Sequence, residues 1–359
     1  MTKTADGRLA YADLLRCVAS LAVIFLHVCG AAFGDYAIGS GGWNVLNLFD
    51  GLVHWCVPIF VMLSGMFLLD PKKSLPALSL LKHLLRILVA LLFWGMVYAL
   101  ADFLLAGGSL SAPSMLSCLK SVLWGNTHYH LWFLYTILGL YLVTPLLRAF
   151  VRGASRSDFH YCFLLIFLFC SVLFLALRLR PSQTASAWLR SCLYLGELAQ
   201  IGLCYVGYYL AGYYLKNFTL GRLAEFIIYL LGIFGAVVTV WGNRALSLHS
   251  GWANLEFYNY NAPNVVFMAV AVFVLFRYLL GVSEERGRRR SVSAVAKVSF
   301  GIYLVHELFL MLLKEWGISA ATVLTPALSV PLIALGVFAA SFAVAWLLSK
   351  IPFLGKYLT

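Results

Sequence analysis

The stretch RCVASLAVIFLH, Arg16 to His27, decides how the chain is read. It is apolar enough for a membrane span, yet it opens on a guanidinium and closes on an imidazole. Both groups cost free energy in hydrocarbon, and ionisable residues kept there lie on relays, pathways or substrate sites. At 100° per residue, the eleven steps from Arg16 to His27 turn through about 1100°, three full turns plus about 20°. The two side chains therefore share one helix face, roughly 16 Å apart along the axis. Asp13, three residues before Arg16, is at helix-neighbour spacing. One stripe runs from an acid–base pair at one end of the span to a titratable ring past its middle.

The rest of the chain has the same solvent. Hydrophobic residues make up 62% and charged residues 11%, against about 25% charged in soluble domains. A soluble core cannot hide that much apolar surface, so the fold class is an all-α, polytopic membrane bundle. With about 20 apolar residues per span, ten spans are predicted: 12–32, 50–69, 84–106, 130–147, 160–178, 193–214, 223–242, 263–281, 295–313 and 322–349. The last carries Pro331 and reads as tilted, kinked or split. The chain 1–359 forms a single integral-membrane domain, since its longest inward hydrophilic connection, SEERGRRRS at 283–291, is short. The eight cysteines make no CxxC pair and no metal-ligand spacing with histidine, so no metal is expected.

Lys and Arg orient the bundle. Eighteen of them, from Lys3 and Arg8 through Lys72, Lys73, Lys82, Arg86, Arg148 and Arg286–Arg290 to Lys356, fall on one side of the ten spans. Six, Lys120, Arg178, Arg180, Arg190, Arg244 and Lys314, fall on the other. The bias puts both termini in the cytoplasm. The net charge of +12 then reflects topology and attraction to anionic membrane lipid, not nucleic acid, for which no motif or aromatic-interleaved basic stripe is present.

YADLLRCVASLAVIFLH (11–27) resembles the opening of the membrane acyltransferase 3 family, with its Arg, ten residues and His in the first span. VPIFVMLSG (57–65), HLWFLYTILGLYLVTP (130–145) and SFGIYLVHE (299–307) resemble further blocks in the family's order. The resemblance spans roughly the whole chain. It implies a multi-pass O-acyltransferase of a bacterial inner (plasma) membrane. No cofactor would be bound permanently; acetyl-CoA would be the co-substrate, and the acceptor a cell-surface or lipid-linked glycan. It carries the essential first-span pair onto His27 and Arg16. The family's basic RxxR pair falls on LKHLLRIL (81–88), where only Arg86 matches and His83 takes the first place, with Lys82 beside it. Pro58 stands where many members have an Asp, so no acidic partner carries over there.

Acyl transfer to a hydroxyl needs a base near neutrality, which His27 suits. His27 acting as base or being acylated itself are both open, and a packing histidine is the plainer alternative. Arg16, Arg86 and Lys82 suit the anionic end of acetyl-CoA; their alternative is a positive-inside anchor. Ser64-Gly65 reads as a close helix contact. His54, Asp102, His128, His130 and Glu197 gather at outer span ends, with Trp132 following, and suggest an acceptor pocket; His306 is placed between packing and substrate contact. The rival class is a transporter or flippase of a glycan intermediate using the same stripe, disfavoured by the lack of internal repeats; a different donor such as succinyl-CoA is a further alternative. Nothing in the residues speaks to oligomeric state.

The orientation is directly testable. In a variant cleared of native cysteines, a Lys73→Cys thiol reacts with an impermeant reagent only after the cells are opened, and a Ser40→Cys thiol reacts in intact cells. Reversed labelling would put the basic side outside, away from any cytoplasmic donor.

Overall fold

The computed structural model describes residues 9–179, 187–279, 290–352 and 354–359, excluding the side chains of 187–198, 279, 290 and 354. It is 81% helical, with no strand among the described residues. Eight of the described helices are long and apolar enough to cross a membrane, nine if the pair Ser291–Lys297 and Ser299–Glu315 counts as one bent span. Helices are the outcome lipid enforces, because no water is present there to satisfy backbone N–H and C=O groups.

In chain order the helices are α1 (Ala10–Ala32), α2 (Gly41–Val53), α3 (Cys56–Leu68), α4 (Ala77–Leu105), α5 (Ala112–Leu123), α6 (Trp132–Gly153), α7 (Arg156–Ile166), α8 (Leu173–Arg178), α9 (Ala187–Asn217), α10 (Arg222–Ser250), α11 (Pro263–Val274), α12 (Arg290–Lys297), α13 (Ser299–Glu315), α14 (Pro326–Leu348) and α15 (Leu354–Leu358). A π-helical segment, Phe167–Val172, joins α7 to α8, and a second, Leu275–Leu279, extends α11. Each of the ten predicted spans falls on helix, the sixth on α9.

Several boundaries differ from expectation for identifiable reasons. The predicted span 50–69 is two helices, α2 and α3, broken at His54 and Trp55. Pro58 causes the break: in a continuous helix its ring would clash with the carbonyl of His54, four residues back. The third span starts at Ala77 rather than 84, because the chain around Lys82 and Arg86 is helical and lets long cationic side chains reach toward the interface. The ninth bends by 74° between Lys297 and Ser299. The tenth is a single helix with Pro331 inside it; so close to the start, the missing N–H costs few helix bonds. The unexpected α5 has 12 residues, too short to span, and is capped reciprocally by Ser111 and Ser114. It buries Cys118 and Val122 while Leu116, Leu119 and Leu123 stay exposed.

The outer surface is apolar. Leu146 and Leu223 are each 73% exposed, and only 17% of the apolar window of α10 is buried; these faces meet lipid. The interior is organised by α1, which packs against α2, α3, α12, α13 and α14. Ala12, Leu15 and Ala19 on it are fully buried. Around His27, toward the end of α1, Ile24, Val28 and Cys29 are buried as well.

A second anchor joins α3 to α9. A Cβ at Gly65 would lie 1.9 Å from the Tyr209 carbonyl oxygen, and one at Gly212 would lie 1.8 Å from the Met62 carbonyl oxygen. The two backbones touch through reciprocal glycines, as expected for Ser64-Gly65. The C-terminal carbonyls of α3, which have no helical N–H left to bond, are taken up by cations: Arg148 donates to Leu68 O at 2.7 Å, and also to Lys73 O in the following loop at 2.5 Å. Lys216 donates to Met66 O at 3.3 Å and pairs with Asp70 at 3.2 Å. Arg148, one of the eighteen cations on one side of the spans, is therefore buried and structural.

Gly65→Ala and Gly212→Ala should each lower stability in detergent by about 1–3 kcal/mol or more, the scale of overpacking a filled site. Gly139→Ala, where nothing lies within 4 Å, should be neutral or slightly stabilising. Equal melting temperatures for all three variants would disprove the glycine contact.

Candidate active site

His27 lies on α1, five residues before its end, and is only partly buried. The chain facing it comes from two other places. The 3-10 turn Tyr129–Leu131 leads into α6, and α13 carries His306 and Glu307, both buried. The Tyr129 hydroxyl is 3.1 Å from His27 Nδ1 and donates to Glu307 Oε2 at 2.9 Å. A phenol has one proton, and an ionised carboxylate only accepts. With Glu307 ionised, the phenol proton points to it and the Tyr129 oxygen accepts from His27 Nδ1–H. That leaves the lone pair of His27 on Nε2.

A second imidazole stands beside the first. The rings of His27 and His306 have centroids 5.1 Å apart. His306 Nδ1 is 2.6 Å from the Tyr303 carbonyl oxygen, an acceptor, so this nitrogen carries the proton. His306 Nε2 is then a second lone pair, fully buried and without a hydrogen-bond partner. His130 Nε2 is likewise buried and unpartnered, with its ring 5.5 Å from that of His306. Its Nδ1 meets His128 Nδ1 at 3.0 Å. The turn is held in place by Tyr303, whose hydroxyl donates to the His130 carbonyl at 2.5 Å, and by Tyr98, which stacks on His128 at 4.9 Å and donates to Leu304 O at 2.7 Å. Burial holds the His128 ring below its ordinary pKa, against the pull of the Asp102 carboxylate.

Toward the other end of the stripe, Arg16 is 3.6 Å from Asp13, the pair expected from spacing. Its guanidinium lies 4.9 Å from the centre of the Phe67 ring, and Lys73 Nζ lies 5.7 Å from that ring. Tyr141 is within electrostatic reach of Arg16 and Arg86 and of the Ser64 hydroxyl. Arg86 is partly buried, sits 5.4 Å over Phe300 and donates to the Thr359 carbonyl at 2.5 Å. Lys82 is exposed; the lysine brought beside Arg16 is Lys73.

The sequence-predicted residues thus separate. His27, His130 and His306 form one cluster, and Arg16 and Arg86 flank Tyr141 at the opposite end. His130 is packed into the His27 cluster rather than lining an outward pocket. Trp132 does line one, an open groove of about 390 Å³ with Thr136, Tyr205, Tyr260 and Asn261, and stacks on Tyr260 at 5.7 Å. His54 belongs to a buried network, 3.1 Å from Asp50 and stacked 4.2 Å from Tyr258. Glu197 is on α9, and its side chain lies outside those described. Tyr129 and Glu307 were missed, although both adjoin residues singled out in the sequence. The signal for Glu307 was available: it is an ionisable residue inside an apolar run, the same feature that marked His27. Tyr129 gave none, since a tyrosine at a span end is the ordinary interfacial residue.

Comparison with curated proteins and with solved structures gives no match. The acyltransferase domain of the acyltransferase 3 family matches residues 9–350, nearly the whole chain, through the stripe, the cluster and the basic end alike. The protein therefore belongs to the membrane acyltransferase 3 family.

Proposed function

We propose that this membrane acyltransferase moves an acetyl group from acetyl-CoA to a hydroxyl of a cell-surface or lipid-linked glycan, in a bacterial inner membrane. The observation that carries the reading is the His27–Tyr129–Glu307 chain. A base acting on a hydroxyl becomes an imidazolium, and a carboxylate relayed through a phenol stabilises that charge. His306 has only a backbone carbonyl behind it and no surface exposure, so His27 is the better base and His306 the group that orients a hydroxyl.

Acetyl-CoA is cytoplasmic and multiply anionic, so it enters at the basic end. Arg16, with Lys73 near it, faces the phosphates, and Arg86 adds a second guanidinium across Tyr141. The pantetheine arm covers the roughly 16 Å from Arg16 to His27 along the helix. The acceptor enters from the groove at Trp132, whose aromatic rings and asparagines suit a sugar ring. His27 Nε2 takes the hydroxyl proton as the oxygen attacks the thioester carbonyl. The C–S bond breaks, and the proton passes from His27 to the departing thiolate, which leaves as free CoA. The neutral site is restored.

Release of free thiol that requires both acetyl-CoA and a glycan acceptor tests the whole reading. Acceptor movement across the membrane with no CoA release would instead identify a flippase, and turnover with succinyl-CoA but not acetyl-CoA would change the donor.

His27→Ala should lower turnover by about 10²–10⁴-fold, the range of general-base catalysis, with melting in detergent little changed. Wild-type turnover in that variant would refute the base.

Tyr129→Phe should lower kcat by about 10–100-fold, matching the 1.5–3 kcal/mol of a hydrogen bond to a charged group. Because Tyr129 and Glu307 act through one chain, the Tyr129→Phe/Glu307→Gln double variant should lose little more than the worse single one. Additive losses would show two independent roles. Arg16→Ala should raise KM for acetyl-CoA, and Arg16→Lys should restore it only in part, since an ammonium lacks the two-pronged geometry; full rescue by lysine would reduce Arg16 to a simple charge.

A further inference from the structure

Away from the His27 cluster, an apolar cavity of about 370 Å³ lies between α7, its π-helical continuation, α9, α10 and α11. Its long wall is one face of α9: Cys204, Gly207, Tyr208, Ala211, Tyr214 and Leu215. From Cys204 to Leu215 that wall is about 16 Å long, roughly half the 30 Å hydrocarbon thickness. The cavity is therefore one leaflet deep. It reaches the lipid-facing surface, where Leu231 in its wall is 36% exposed.

One end differs from the rest. Tyr214 OH is 2.7 Å from His160 Nε2 and accepts from Arg156 Nε at 3.1 Å. Arg156 also donates to the Thr219 carbonyl, which leaves further guanidinium N–H groups for an anion. Both Arg156 and His160 are exposed. This end is on the side carrying the eighteen Lys and Arg, where the leaflet is anionic.

An apolar cavity about one leaflet long with a cation at its mouth matches an extended alkyl chain that carries an anionic headgroup. An apolar void left empty would forfeit the contacts of every wall atom. The π-helical segment Phe167–Val172, with Ser171 against Cys204 at 3.9 Å, forms part of the wall; such segments recur at functional sites.

We propose that this cavity is a lipid site, holding one acyl chain of an anionic phospholipid with its phosphate against Arg156 and His160. The site is separate from the acyl-transfer centre and does not depend on how that centre works.

The protein is reconstituted in vesicles of equal phosphatidylglycerol and phosphatidylcholine, extracted in mild detergent, and its retained lipid counted by native mass spectrometry. Wild type should hold one phosphatidylglycerol in clear preference to phosphatidylcholine. Val270→Phe and Ala211→Phe, which fill the cavity from opposite walls, should lower that occupancy at least tenfold while eluting as the wild type does. Arg156→Gln should keep a bound lipid but lose the headgroup preference. Undiminished occupancy in a folded cavity-filled variant, or an unchanged preference in Arg156→Gln, overturns the site. Should one filled variant fail to fold, the other and Arg156→Gln decide the matter.

Discussion

A histidine and a glutamate placed inside a bilayer each need a partner, and one phenol supplies both. Tyr129 accepts from His27 and donates to Glu307, so a single hydroxyl fixes the tautomer of one residue and shares the charge of the other. The arrangement depends on three parts of the chain that are far apart in sequence: the outer half of α1, the turn before α6, and the middle of α13. Much of the interior serves to hold these three together. Tyr303 ties α13 to the turn through the His130 carbonyl, and Tyr98 ties α4 to α13 through Leu304.

Packing in lipid explains why the supporting contacts look as they do. Hydrocarbon gives helices no reason to associate by hiding apolar surface, so close backbone approach and polar bonds must do it. The reciprocal glycines of α3 and α9 provide the first. Arg148 and Lys216, taking up the carbonyls that end α3, provide the second. Cations that orient the chain in the membrane therefore also close a helix terminus, and the same residues serve topology and packing. Pro58 breaks the second span at His54, which frees α2 to contribute Asn47 to the bonds that hold Tyr258.

The functional elements are polarised along α1. Its inner end carries Arg16 among cations and aromatic rings; its outer half carries His27 among imidazoles and phenols. Under the proposed function, a donor too charged to enter lipid and an acceptor from the opposite side would meet along this one stripe. Trp132, in the wall of the open groove, follows directly on the turn that presents Tyr129. The apolar cavity on α9 sits outside this stripe, with Arg156 at its mouth.

Much of this was legible from sequence, for a definable reason. Hydropathy and Lys/Arg bias act locally and over short windows, so the helical bundle and its ten helical positions, and the stripe joining Arg16 to His27 on one face, follow from spacing alone. Ser64-Gly65 as a contact follows in the same way, from residue size. What the sequence left undecided is pairing across the chain. Position along a span gave His130 and Lys82 a depth and not their neighbours. Only the tertiary packing places Glu307 opposite His27, brings Lys73 to Arg16, and buries His306 Nε2 without a partner. Those relations bridge up to 280 residues of chain, from His27 through Tyr129 to Glu307, and contacts between groups so distant are set by how helices cross, which no local periodicity encodes.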